Sequence, residues 1–191
     1  MTMTPRLRKA VLTAHVTSSV GWFGAVAAFL ALAVAGLASP DAQVVRAAYL
    51  ATEMTGWFVI VPLALASLLT GVVSSLGTTW GLFRHYWVLI KLLITVLATA
   101  VLLVHMGPIS GLADAAAATA LSSTSLRGLR IQVVVQAGAA LLVLLVATTL
   151  SLYKPRGMTG YGQRKQYGSL QAAVDEGRAG QRRANPKRRI Q

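Results

Sequence analysis

The stretch 86–106, YWVLIKLLITVLATAVLLVHM, decides the architecture of this chain. Lys91 and His105 are its only nitrogen-based ionisable side chains, and most of the other residues are Leu, Val, Ile and Ala. Crossing about 30 Å of hydrocarbon takes about 20 helical residues, so these 21 residues match a bilayer. Hydrocarbon offers no hydrogen bonds to the backbone, which forces such a segment to be helical.

Three further stretches, 11–38, 54–76 and 131–153, meet the same length and composition. The chain therefore reads as all-α: an integral membrane four-helix bundle over residues 1–153, followed by a basic tail over 154–191. Pro62 is expected to kink the second span. The connections 39–53 and 108–130 read as loops, with a short interfacial helix over the Ala-rich 112–121. The first span follows Arg6, Arg8 and Lys9 and imitates a signal peptide, but its 28 apolar residues far exceed the 7–15 of a signal core and predict an uncleaved anchor.

The composition of the whole chain agrees. Of 191 residues 55% are hydrophobic and 12% charged, with a mean hydropathy of +0.62. That is too little polar surface for a soluble globule of this size, which excludes a secreted or cytosolic enzyme. The absence of Cys excludes disulfides, thiolate catalysis, Cys-ligated zinc, iron–sulfur clusters and covalently attached c-type haem.

The 18 Lys and Arg are segregated, with 3 in residues 6–9 and 10 in residues 154–191. With the N-terminus inside, 14 cations collect on the cytoplasmic side against Arg46, Arg127 and Arg130 outside. The positive-inside bias thus predicts a multi-pass protein of the cell membrane with both termini cytoplasmic. The tail, with only Asp175 and Glu176 as acids, reads as disordered apart from a helical turn around 170–176. Its expected partner is the anionic headgroup surface of the bilayer. Nucleic acid is the rival polyanion, disfavoured because no aromatic follows Tyr167 to stack on bases.

Ionisable groups within spans carry the functional expectation, because hydrocarbon penalises them unless they face the bundle. His15, Ser18, Ser19 and Trp22 share one face of the first helix at i, i+3, i+4 and i+7. Imidazole can ligate iron, and hydroxyls and indole N–H can bind carboxylates. The alternative is an interfacial His that only hydrogen-bonds within the bundle. Lys91, Thr95, Ala98, Leu102 and His105 form one seam of the third helix. Lys91 lies at about the depth of His15, whereas His105 is about 21 Å further along the axis. Snorkelling to the headgroups is the other reading of Lys91. At the outer end His105 with Met54 could ligate haem, and His105 with Glu53 could hold a metal ion or relay a proton; simple packing is the alternative for Met54. His85, beside Arg84, Tyr86 and Trp87, reads as part of an interfacial belt.

Three patterns in order, His15 and Trp22 in HVTSSVGWFGA, Pro62 and Gly71 in PLALASLLTG, and Trp87 and Lys91 in WVLIK, resemble the first three helices of the HemJ-type protoporphyrinogen oxidase family. These are small four-helix bacterial membrane proteins that bind haem b. The scheme is also similar to CopD-type copper-resistance membrane domains and to actinobacterial integral membrane proteins. The resemblance covers roughly residues 11–106. It implies haem b, with His15 an axial ligand and Lys91 a second ligand, propionate partner or catalytic group; Trp22 and Ser19, on the stripe shared with His15, are then the expected pocket walls. It also implies a redox or haem-handling role, extending to oxidation of a tetrapyrrole with electrons passed to quinone or a respiratory partner. Two other classes stay open. One is a non-catalytic membrane subunit or assembly factor, an oligomer or a partner of other membrane proteins through small-residue faces such as Gly21, Gly24, Ala25 and Ala28. The other is a copper-handling protein using His15 and His105.

Overall fold

The computed structural model describes residues 3–76, 86–118, 124–153 and 160–184. Helix α1 spans Pro5–Ala38, α2 Ala42–Thr55, α3 Val61–Leu76, α4 Tyr86–Ala117, α5 Thr124–Tyr153 and α6 Gly160–Ala184, and a π turn over Gly56–Ile60 joins α2 to α3. Among the described residues there is no strand. Four helical stretches, Pro5–Ala38, Ala42–Leu76, Tyr86–Ala117 and Leu126–Tyr153, are long and apolar enough to cross a membrane. The four-helix, all-α architecture is as the hydropathy implied.

The helices are longer than the apolar runs suggested. Pro5 stands in the first turn of α1, where its missing N–H costs nothing, and Thr4 Oγ1 accepts the Leu7 N–H at 3.4 Å. After Ala38 only three residues intervene before α2, which Asp41 starts by accepting the Gln43 N–H at 2.7 Å. The stretch expected as a loop over 39–53 is therefore helix from Ala42 onward. Helix α4 likewise continues through Pro108 to Ala117, so the first part of 108–130 is a helical extension and not a loop. Residues 119–123, including the end of the expected interfacial helix, lie outside the described residues.

Pro62 acts through the π turn. It has no N–H to give the Phe58 carbonyl and its ring crowds that turn. The Val61 N–H instead reaches back five residues to the Gly56 carbonyl, widening the helix just ahead of the proline.

Cross-helix contacts set the directions. His15 near the start of α1 meets Ser67 and Thr70 on α3, whereas Gly36 near its end meets Tyr49 on α2 and Arg130 on α5. Trp57 Nε1 donates to Ser110 Oγ on α4 at 3.3 Å. The four spans thus run up, down, up and down, and Pro5 and Tyr153 emerge at the same end of the bundle. Helix α1 packs against α2–α3 and α5, and α4 packs against the same two, so α1 and α4 occupy opposite corners.

The core joins Trp22, Val26 and Phe29 of α1, Ile60 and Ala64 of the second span, Met106, Ile109 and Leu112 of α4, and Val133, Ala137 and Leu144 of α5. On α4 the buried residues crowd toward 106–116, leaving only Val88 and Thr99 buried before them. Among the described residues, α4 therefore buries less of itself at the end that holds His15 and Lys91. Exposed residues such as Val20, Phe58, Leu69, Val104 and Leu142 form an apolar perimeter suited to lipid.

The tail departs from the expectation of disorder: Gly160–Ala184 is helix α6, whose Gln, Ala, Arg and Leu residues are good helix formers. Residues 154–159 and 185–191 lie outside the described residues.

The cation bias and the shared end of Pro5 and Tyr153 lead to a topology prediction. Reporter fusions at Gln191 are expected to report cytoplasm and fusions after Asp114 the opposite side. A C-terminal reporter active outside the cell would overturn the orientation.

Candidate functional site

Two polar clusters occupy opposite ends of the bundle, separated by the apolar layer of Trp22, Phe29, Ile60 and Met106.

The first is built on His15. Its Nδ1 lies 3.0 Å from the Ser67 carbonyl and 3.3 Å from Thr70 Oγ1. The Thr70 hydroxyl spends its own proton on the Ala66 carbonyl at 2.5 Å, so it presents a lone pair to the imidazole. Both groups facing Nδ1 are therefore acceptors, and Nδ1 must carry the proton. In the neutral ring this leaves the lone pair on Nε2. The ring lies against Gly71, where a Cβ would stand 3.0 Å from His15 Cε1. Glycine at this point of α3 is what lets the imidazole approach the helix.

Ser19 Oγ and Ser67 Oγ are 2.7 Å apart, binding α1 to α3 one turn further in. Ser18 is buried and donates to the His15 carbonyl at 3.1 Å. Both serines are thus engaged within the protein, and Trp22, 4% exposed, belongs to the apolar core just beyond them. Lys91 is half-buried on the opposite corner helix, in the same half of the bundle as His15. The seam expected on α4 does turn inward, because Ala98 and Leu102 pack on the core and Thr99 is buried. The hydroxyls of Thr95 and Thr99 return to their own helix at the Lys91 and Thr95 carbonyls, both at 2.8 Å.

The second cluster was not foreseen in the sequence. Arg130, counted there only as a flanking cation, donates from Nε to Tyr49 Oη at 2.9 Å and from Nη2 to the Gly36 carbonyl. Its guanidinium also lies 5.5 Å from the Tyr49 ring centroid. Gly36 stands in the last turn of α1, where carbonyls have no partner within the helix, so Arg130 caps α1 with the charge its dipole favours. Tyr49, 1% exposed, sits so close that a Cβ on Gly36 would come within 2.9 Å of its Cζ.

The outer ligand candidates are not drawn into this cluster. Met54 is 62% exposed, and His105 Nδ1 is bonded to the Val101 carbonyl of its own helix at 2.7 Å. The buried thioether is that of Met106, which packs on the π turn at Gly56. Among the described residues no three of His, Cys, Asp and Glu group closely enough to hold a metal ion. His85 and Arg84 lie outside the described residues.

Ser67, Thr70 and Gly71 had a signal in the sequence, since i, i+3 and i+4 share a helix face. Arg130 and Tyr49 had none, being 81 residues apart.

Comparison with known proteins found no matching family model, no matching curated protein and no matching solved structure.

Proposed function

We propose that this is an integral membrane protein of the cell membrane that binds haem b and serves a redox or haem-handling role. The observation that carries the reading is the His15 imidazole, held by two acceptors at Nδ1 so that Nε2 keeps its lone pair. Orientation of a histidine through its other nitrogen is the usual support of a metal-ligating imidazole. The donor set fits the group: an imidazole nitrogen for iron, an amine at Lys91 for a second ligand position or a propionate, and the Trp22 indole as an apolar wall. A bound haem would supply one-electron chemistry. The chain's own part is to orient the ring of His15, to present the Lys91 amine and to keep water out with the apolar layer beyond Trp22.

The test is the visible spectrum of the detergent-purified protein, reduced minus oxidised, with a pyridine haemochrome assay. The expected result is a b-type spectrum that His15→Ala abolishes, that Lys91→Ala weakens about tenfold in haem occupancy, and that His105→Ala leaves intact. Loss of the spectrum in His105→Ala with retention in His15→Ala would move the haem to the other end of the bundle. A wild-type protein that neither carries nor takes up haem would sink the reading in favour of a non-catalytic membrane subunit.

A further inference from the structure

Helix α6 presents an apolar stripe with cations at both ends. Tyr167, Leu170 and Val174 stand at i, i+3 and i+7, one face of a helix, and are 71%, 56% and 52% exposed. Arg164 precedes the stripe by three residues and Arg178 follows it by four, both exposed; Arg178 lies close to the same face and Arg164 at its flank, about 90° from the centre of the stripe. Glu176 lies on the opposite side of the helix. The whole segment 154–191 carries ten cations against two acids, a net charge of +8.

Its tether is short. Helix α5 ends at Tyr153, an exposed aromatic of the kind that marks a membrane–water interface. Six residues separate it from Gly160, a reach of at most about 25 Å. The helix is thereby kept at high effective concentration beside the bilayer that α5 crosses.

We propose that α6 is an interfacial helix that lies on the anionic surface of the same bilayer, with Tyr167, Leu170 and Val174 among the headgroups and Arg164 and Arg178 on lipid phosphates. Binding of such helices sums apolar insertion and charge attraction. Three apolar side chains are a narrow face, so the charge term decides, and neutral lipid does not hold the helix. Nucleic acid is the less favoured polyanion because it would leave the apolar stripe uncovered. The proposal is independent of haem.

The absence of native cysteine makes the test direct. The full-length chain carries a single nitroxide at Leu170→Cys, Val174→Cys or Glu176→Cys. It is reconstituted into phosphatidylcholine vesicles with or without phosphatidylglycerol, and accessibility to oxygen is compared with accessibility to a water-soluble nickel chelate. In anionic vesicles the labels at 170 and 174 should become oxygen-accessible while the label at 176 stays in water, and in neutral vesicles all three should stay in water. Arg164→Gln and Arg178→Gln should each lower the docked-to-undocked ratio about fivefold, and 1 M salt, with a Debye length of about 3 Å, should release the helix. Several results would overturn the proposal: labels water-exposed in anionic vesicles, equal insertion in neutral ones, or no contrast between 174 and 176. Shielding already present in detergent would mean that the bundle or a second copy covers the stripe. A larger response to added oligonucleotide than to anionic lipid would make nucleic acid the partner.

Discussion

Arg130→Ala lowers the stability of the folded bundle by about 2–3 kcal/mol, read from denaturation in detergent micelles. The substitution removes three favourable contacts together: the bond to Tyr49 Oη, the cap on the Gly36 carbonyl and the stacking of the guanidinium on the Tyr49 ring. What sets the size is the residue left behind. Tyr49 is 1% exposed, so its hydroxyl is stranded in a poorly hydrated site, and a stranded buried polar group costs about 1–3 kcal/mol. Tyr49→Phe removes the hydroxyl without stranding it and should cost about 1 kcal/mol. The two substitutions share a partner and should be less than additive by at least about 0.5 kcal/mol. Arg130→Lys keeps the charge but not the fork that reaches two acceptors, and should recover only part of the loss. Wild-type stability in Arg130→Ala would show that the cluster contributes nothing to holding α1, α2 and α5 together.

Gly71→Leu drives the imidazole of His15 away from α3. The Cβ alone would stand 3.0 Å from Cε1 and 3.4 Å from Nδ1, and leucine adds three more carbons beyond it. The hydrogen bonds to the Ser67 carbonyl and Thr70 break, and the proton on Nδ1 is no longer fixed there. Two measurements follow the change. Any haem spectrum should be lost as completely as in His15→Ala, although the imidazole is still present. In nitrogen-15-labelled protein, the His15 ring signals should move from the Nδ1–H pattern to a mixture of tautomers, a readout that does not depend on haem. The stability cost should stay at about 1–3 kcal/mol, as for other overpacked sites. An unchanged His15 ring signal would mean that α3 yields and the imidazole does not.

Much of this was legible in the sequence, and the reasons differ by element. The four spans follow from hydropathy because lipid leaves the backbone no choice but helix. His15 and Lys91 could be matched by depth alone, since rise per residue is fixed. Their surroundings could not, because partners across a bundle depend on how each helix is rotated. The second span is the case in point: the π turn at 56–60 shifts Ser67, Thr70 and Gly71 by about 100° relative to Tyr49 and Thr52, a change that hydropathy does not register. The helical continuation over Ala42–Thr55 was hidden by Arg46 and Glu53, which look like loop residues on a hydropathy scale yet are ordinary on an exposed helix face. Pro108 concealed the extension of α4 in the same way, by a rule that holds more weakly where neighbouring helices support the backbone. Arg130 was read as a cation flanking the fourth span, whereas the structure places it within α5, and its bonds to Tyr49 and Gly36 depend on tertiary contact alone.

The π turn over Gly56–Ile60 makes the second span behave as two screws cut out of phase. One residue advances an α-helix by about 100°, so one surplus residue turns everything after it by that angle relative to everything before. Above the turn Val45, Tyr49 and Thr52 point into the bundle, and below it Ala64 and Ser67 do so as well. On an unbroken α-helix the five would also fall within an arc of about 120°, so the turn adjusts how the second set faces the bundle and does not by itself create the inward face. Loss of a single residue between 56 and 60 would turn the Ser67 half of the span by about 100° against the Tyr49 half. Along this segment the count of residues, together with Pro62, sets the angle between the two halves.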